Sequence, residues 1–434
     1  MSSPIYVHEF DNDIPIGEAW VKSDHCQKHI EIVGGSGQGK TTLAEWLMLG
    51  ILERNEAGLL LIDPTGDSYK KYLGWLADGR LQRKAWLVDP GEKVLHYNPL
   101  AVDRDPLKLA SHVSGLYEAL HLIQSDSSPG QHKQVARFVT STLRALIEAN
   151  LTLADAFDWL TDETFRAKYL RAISHEETLK EWARGPSAND LKSTMNFFAA
   201  FWEHDGLKEM FSANGFTWES VYAEQPVVLV NLASMAGSLR FSKAVAAMFL
   251  TGLLEHARLA PVKKRWYAVI DDATDYTPAH VGQLLTLGRH FELFLMLIHH
   301  QSFDGRLQGA VEWGCRTKFF FGEIPSEYRW TVPEYYTVGT RYPQERTRQV
   351  QGPSSSGSFT CLEVFDRKPI QFIRLEPTPE SYEDVEPYKA SVYERPEYQK
   401  EKNSILEEPI RPAATREANP KPGKPPLSRD RRGK

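Results

Sequence analysis

Residues 34–41, GGSGQGKT, place glycine, lysine and threonine at the spacing G-x-x-x-x-G-K-[ST]. The stretch before them, HIEIV, reads as a strand, and an apolar helical pattern follows. Glycines in such a loop let successive backbone N–H groups turn inward around phosphate oxygens. The helix that opens at Lys40 offers the same anion its positive end. Lys40 then reaches the β- and γ-phosphates, and the Thr41 hydroxyl ligates Mg²⁺. The expected nucleotide-contacting set is Gly34, Gly35, Ser36, Gly37, Gln38, Gly39, Lys40, Thr41 and Thr42, with ATP as the nucleotide.

A phosphate loop needs carboxylates to hold the metal and orient the attacking water. RWYAVIDDATDY, some 230 residues on, supplies a buried apolar run ending in Asp271 and Asp272. Asp271 is the expected metal residue and Asp272 the general base. The same pair could instead cap the following helix. Downstream, LFLMLIHHQ ends a further apolar run in Gln301, which could hydrogen-bond the γ-phosphate or the attacking water.

Elements must carry these residues to one place. Unbroken apolar runs recur at 29–33, 58–63, 85–89, 227–232, 266–271, 293–298, 318–322 and 370–375. Unbroken runs suit strands buried on both faces of a parallel sheet. Helical patterns at 41–55, 68–77, 242–259 and 279–290 lie between several of them, which implies a doubly wound α/β domain. From 103 to 223 no convincing strand occurs, and apolar residues recur at three- and four-residue spacing. That interval reads as an all-helical insertion, so the two halves of the site can meet in space. The expected division is a first core part at 1–102, the helical insertion at 103–223, a second core part at 224–375 and a tail at 376–434. Ten of 26 prolines fall in residues 375–434, and the chain ends in NPKPGKPPLSRDRRGK. The tail reads as disordered, either a solvated terminus or a basic arm touching nucleic acid or a partner.

Totals narrow the classes. With 41% hydrophobic and 25% charged residues the chain is an ordinary globular protein. A net charge of −6 gives no global basic signature, so any DNA contact must come from a local patch or an assembled channel. Three scattered cysteines, Cys26, Cys315 and Cys361, fit a reducing cytosol rather than a disulfide framework. His25, Cys26 and His29 cluster without a second ligand pair, which makes a poor zinc site. No apolar run approaches the ~20 residues that span a bilayer.

Taken in order, these segments resemble the HerA/FtsK branch of P-loop ATPases, and in particular type IV secretion coupling proteins of the TraG/TraD kind. The resemblance is carried by the phosphate loop, LLLIDPTGDSYKKYL, VDPGEKVLHYNPLA, the helical insertion, SVYAEQPVVLVNLASMAG, the acidic pair, LLTLGRHFELFLMLIHHQ and GCRTKFFFG, over about residues 28–325. It implies a RecA-like P-loop NTPase core with a mostly parallel sheet. It also implies a homo-oligomeric ring, a hexamer in such relatives, with Mg-ATP at subunit interfaces and DNA through the pore. Relaxosome or secretion-channel proteins are the implied partners, and the location is the cytoplasm, with recruitment to the inner membrane face of a prokaryotic cell. A neighbouring subunit would supply an arginine to the γ-phosphate. Arg316 in GCRTK is preferred over Arg289 in LGRHFE, and each could equally be a surface arginine. Three departures stand out: Asp272 where the family has Glu, no membrane helices, and Gly-Gly-Ser-Gly where the family has Gly-x-Thr-Gly. The shorter Asp272 leaves open a weakly hydrolysing, nucleotide-gated adaptor. A HerA-like DNA-end-processing or anti-phage motor shares the chemistry.

Overall fold

The computed structural model describes residues 13–399, apart from 17–18, 55–56, 103–104, 124–131, 279–280, 283–284, 286–287, 304, 323–330, 337–343 and 350–358. Thirteen strands occur among them. They are β1 (Ile14–Ile16), β2 (Ala19–Val21), β3 (His29–Val33), β4 (Gly58–Asp63), β5 (Ala85–Val88), β6 (Val227–Asn231), β7 (Trp266–Ile270), β8 (Leu293–His299), β9 (Cys315–Phe321), β10 (Thr331–Tyr336), β11 (Gln344–Gln349), β12 (Thr360–Phe365) and β13 (Lys368–Arg374). Nine of them form one sheet in the order β13-β12-β9-β3-β8-β7-β4-β6-β5. From β5 to β9 every pairing is parallel, and β12 and β13 add an antiparallel hairpin at one edge.

The unbroken apolar runs explain this arrangement. Every residue of β3, β4, β5, β7 and β8 is buried, as a strand covered by helices on both faces must be. Helices Lys40–Glu53, Asp67–Ala77 and Leu239–Leu259 supply that cover and contribute to one continuous core. The expected helix at 279–290 falls partly outside the described residues. Its described residues Val281, Gly282 and Leu285 are helical, and the 3-10 turn Gly288–Phe291 follows.

Between β5 and β6 the described residues form helices and no strand; the two longest are Pro106–Ile123 and His132–Glu148. This segment shares the core. Glu255 on helix Leu239–Leu259 accepts from Ser111 (3.3 Å), and Gly115 lies against Thr251 of the same helix.

The reading of 376–434 as structureless needs correction at its start. Residues 376–399 are ordered and carry helix Glu386–Tyr393. The Tyr398 hydroxyl accepts from Leu87 N (2.7 Å) and donates to Leu87 O (3.0 Å), while Trp75 Nε1 donates to Pro379 O (3.2 Å). Proline content misled because Pro396 sits at the start of a turn that delivers Tyr398 into the core. Residues 400–434 lie outside the described residues.

Candidate nucleotide site

All strands from β5 to β9 run parallel, so their C-terminal ends share one edge, where ligands of open α/β sheets bind. β3 delivers the phosphate loop to that edge and β7 delivers Asp271; only β8 stands between them. Two strand spacings, about 10 Å, therefore separate the halves at the backbone. Side chains close the gap. The Thr41 hydroxyl donates to Asp271 Oδ2 at 3.1 Å, across 230 residues of sequence.

The loop itself depends on glycine twice over. A Cβ at Gly34 would lie 2.5 Å from Phe321 Cβ, so only glycine lets β9 pack this closely. Gly39 has φ +103°, a conformation L side chains rarely adopt. Gln38 folds back so that its Oε1 accepts from Gly35 N (2.6 Å), and Lys40 Nζ donates to Gly35 O (2.9 Å). Residues 35–37 are exposed, so the loop is an open shelf rather than a closed cavity. Thr42 follows on the first turn of helix Lys40–Glu53. Burial pushes the Lys40 ammonium down, while Asp271 and Asp272 oppose that shift, which puts all three in one field.

Asp271 carries the strongest electrostatic signature at this edge. Burial, and then the neighbouring Asp272, push its carboxyl up from 3.8 to about 6, against hydrogen bonds from Asp272 N and Thr41. A carboxylate made this uncomfortable without a cation fits a hard divalent ion. Mg²⁺ needs only one or two protein oxygens besides phosphate and water. Thr41 and Asp271 fit that requirement. Among the described residues no cluster of three His, Cys, Asp or Glu offers a self-sufficient metal cage.

Asp272 has φ +49° and precedes the short helix Ala273–Tyr276, yet its side chain makes no capping hydrogen bond. The capping alternative therefore does not account for it. Its carboxylate lies 3.5 Å from His300 Nδ1 and is about two-fifths exposed. His300 is the residue that reasoning from sequence passed over. Gln301, chosen instead, is exposed, and its carbonyl is hydrogen-bonded to His299 Nδ1 (2.8 Å). His299 in turn meets the fully buried Glu31 of β3 at 3.0 Å, and Glu31 also accepts from Lys318 of β9. Burial alone would raise the Glu31 carboxyl. Lys318 and His299 outweigh it and hold the group at about 2. A buried network thus ties β3, the strand before the phosphate loop, to β8, which ends at His299 just before His300.

The two arginines fare differently. Arg316 lies at the far end of β9, about 17 Å of strand from the loop edge. Its guanidinium is held by both carboxylate oxygens of Asp366, in the two-residue β12–β13 turn. It is thus engaged within its own subunit rather than extended. The side chain of Arg289 lies outside the described residues. His25 is hydrogen-bonded to Glu363 (2.6 Å), His29 Nδ1 accepts from Leu295 N (3.0 Å), and all three cysteines are free and buried. A cavity of about 680 Å³ lies elsewhere, among the helices between β5 and β6, and contains none of the residues discussed here.

Residues 20–198 match the family described as helicase HerA, central domain. The fold is that of a bacterial conjugative coupling protein, TrwBdeltaN70: 14% identity, TM-score 0.63, 87% of this chain and 91% of that one. TrwB in complex with ADP and Mg²⁺ is similar at 15% identity and TM-score 0.63, covering 87% and 92%. VirB4 of Thermoanaerobacter pseudethanolicus is similar at 14% identity and TM-score 0.51, covering 83% and 94%. No curated protein matches. Residues 20–198 thus match a HerA central domain, and the chain as a whole has the RecA-like fold of these solved structures. That fold is shared with a conjugative coupling protein, as the resemblance read from the ordered motifs implies. Among the described residues no helix is long and apolar enough to cross a membrane.

Proposed function

We propose that this chain is an ATP-driven motor that moves DNA, or a DNA–protein complex, through the pore of a ring of its own copies. The observation that carries the reading is the 3.1 Å contact between Thr41 and Asp271. It brings the phosphate loop and the acidic strand end to one point. Thr41 and Asp271 would hold Mg²⁺, which when bound neutralises charge on the phosphates. Lys40 leaves Gly35 O for the β- and γ-phosphates. Asp272 takes the proton of the attacking water, and its contact with His300 orients the carboxylate. Gln301 senses hydrolysis at the end of β8. Arg316 acts on a neighbour's nucleotide only if it releases Asp366. The segment 103–223 is an inserted helical module that meets relaxosome or channel proteins. The chain works in the prokaryotic cytoplasm, recruited to the inner membrane face.

Steady-state ATPase measured without DNA and with single- or double-stranded DNA tests this reading. Wild type should turn over faster with DNA. Asp272→Asn should abolish turnover yet keep nucleotide bound, and Lys40→Ala should weaken binding itself. No hydrolysis under any condition, with Asp272→Asn indistinguishable from wild type, sinks the motor. The rival is a nucleotide-gated adaptor that scarcely hydrolyses. It draws support from Asp272, one methylene shorter than the family's Glu and turned toward His300. DNA stimulation has no place in the adaptor.

A further inference from the structure

The antiparallel hairpin β12–β13 opens directly onto the phosphate loop. Phe359 N donates to Gln38 O at 3.0 Å, and Leu375 N donates to Phe359 O at 2.7 Å. One residue further, Glu376 O accepts from Trp46 Nε1 of helix Lys40–Glu53 at 3.0 Å. The hairpin's open end is therefore fastened to both the loop and the helix that follows it. At this junction Phe359 and Leu375 lie against Gly39. A Cβ at Gly39 would meet Phe359 Cδ1 at 2.8 Å and Leu375 Cδ1 at 3.4 Å.

Two features of Phe359 stand out among the described residues. Its φ is +64°, in the left-handed region that a bulky residue enters only under constraint. The residue is 41% exposed, although the neighbouring Leu375 is buried. A strained backbone holding an aromatic face in solvent beside a phosphate loop is a device for binding something flat. The triphosphate occupies the loop, with its metal end fixed at Thr41 and Asp271. The nucleoside must leave on the side away from that carboxylate, where the loop is exposed and Phe359 sits.

We infer that Phe359, backed by Leu375, is the shelf on which the nucleobase of the bound nucleotide stacks. The inference rests on the nucleotide reading above and adds the residue and chemistry that recognise the base. It makes the C-terminal hairpin part of the nucleotide site rather than a sheet edge.

Calorimetric binding of Mg-ATP and of Mg-tripolyphosphate, which has no base, separates the two readings. The full-length chain is compared with Phe359→Leu, Phe359→Trp and Lys40→Ala, each checked by circular dichroism. Loss of a base–aromatic stack weakens binding by roughly tenfold or more. Phe359→Leu should therefore weaken ATP by about that factor and leave tripolyphosphate unchanged. Phe359→Trp should keep wild-type affinity, and Lys40→Ala should weaken both ligands. Equal weakening of both ligands by Phe359→Leu, no change in either, or tighter ATP binding overturns the shelf alone. Wild type that binds neither ligand overturns the nucleotide reading, and the shelf with it.

Discussion

Asp271→Asn should stabilise the nucleotide-free protein at neutral pH. In the fold this carboxyl is raised from 3.8 to about 6, first by burial and then by Asp272. Two units correspond to about 3 kcal/mol of differential interaction. The group is only partly enclosed, and screening reduces the effect to roughly 1–2 kcal/mol. A folded-state value above the unfolded one means the native state binds the extra proton. Stability is thus complete below about pH 4 and is lost as pH rises through 6. Asparagine removes that loss and can still accept one of the two hydrogen bonds. Scanning calorimetry in EDTA at pH 7 should place the variant about 2 °C above wild type, given the entropy of a chain this size. The gap should close toward pH 4. With saturating Mg-ATP the order should invert, because ligand stabilises wild type by about 3 kcal/mol at a hundred times Kd and the variant much less. A variant less stable than wild type in EDTA at pH 7, or a gap that ignores pH, refutes the reasoning.

Other consequences follow from the same geometry. Glu31→Gln leaves the Lys318 ammonium buried without its counter-charge, and denaturant unfolding should show a loss of about 3–5 kcal/mol. Glu31→Gln combined with Lys318→Met should recover most of it. Tyr398→Phe removes two hydrogen bonds to the Leu87 backbone and should cost about 1–3 kcal/mol by the same measurement, with no change in ATP affinity. Arg316→Ala should leave DNA-stimulated turnover within about threefold, because Asp366 already engages that side chain. A loss near a thousandfold, the scale of an arginine acting in trans, shows that it leaves Asp366 to serve a neighbour.

What could be read from sequence was whatever repeats locally. Each apolar run became a strand, and the glycine pattern marked the loop, because both obey rules spanning a few residues. Illegible were polar residues whose partners lie far away. TCLEVF was missed as a strand because Glu363 interrupts it, yet Glu363 is fully buried against His25, 338 residues distant. β9 was read as starting at Lys318, when Cys315, Arg316 and Thr317 belong to it, and buried Lys318 faces Glu31 across 287 residues. β1 and β2, three residues each, are too short for any period to show. At the site, Thr41 and Asp271 could be named from motif and strand end. His300 and Phe359 could not, since neither belongs to a pattern and each is defined by what the fold sets beside it.

The central claim is that Thr41 and Asp271 act on one metal-bound triphosphate. A double-mutant cycle of Thr41→Ala and Asp271→Ala, read out as Mg²⁺-dependent ATP affinity, tests it most directly. The account predicts strong non-additivity, with a coupling of roughly 1–3 kcal/mol, as expected for residues in contact. Effects that sum to within about 0.5 kcal/mol would mean that the two side chains work in separate places, and would contradict it.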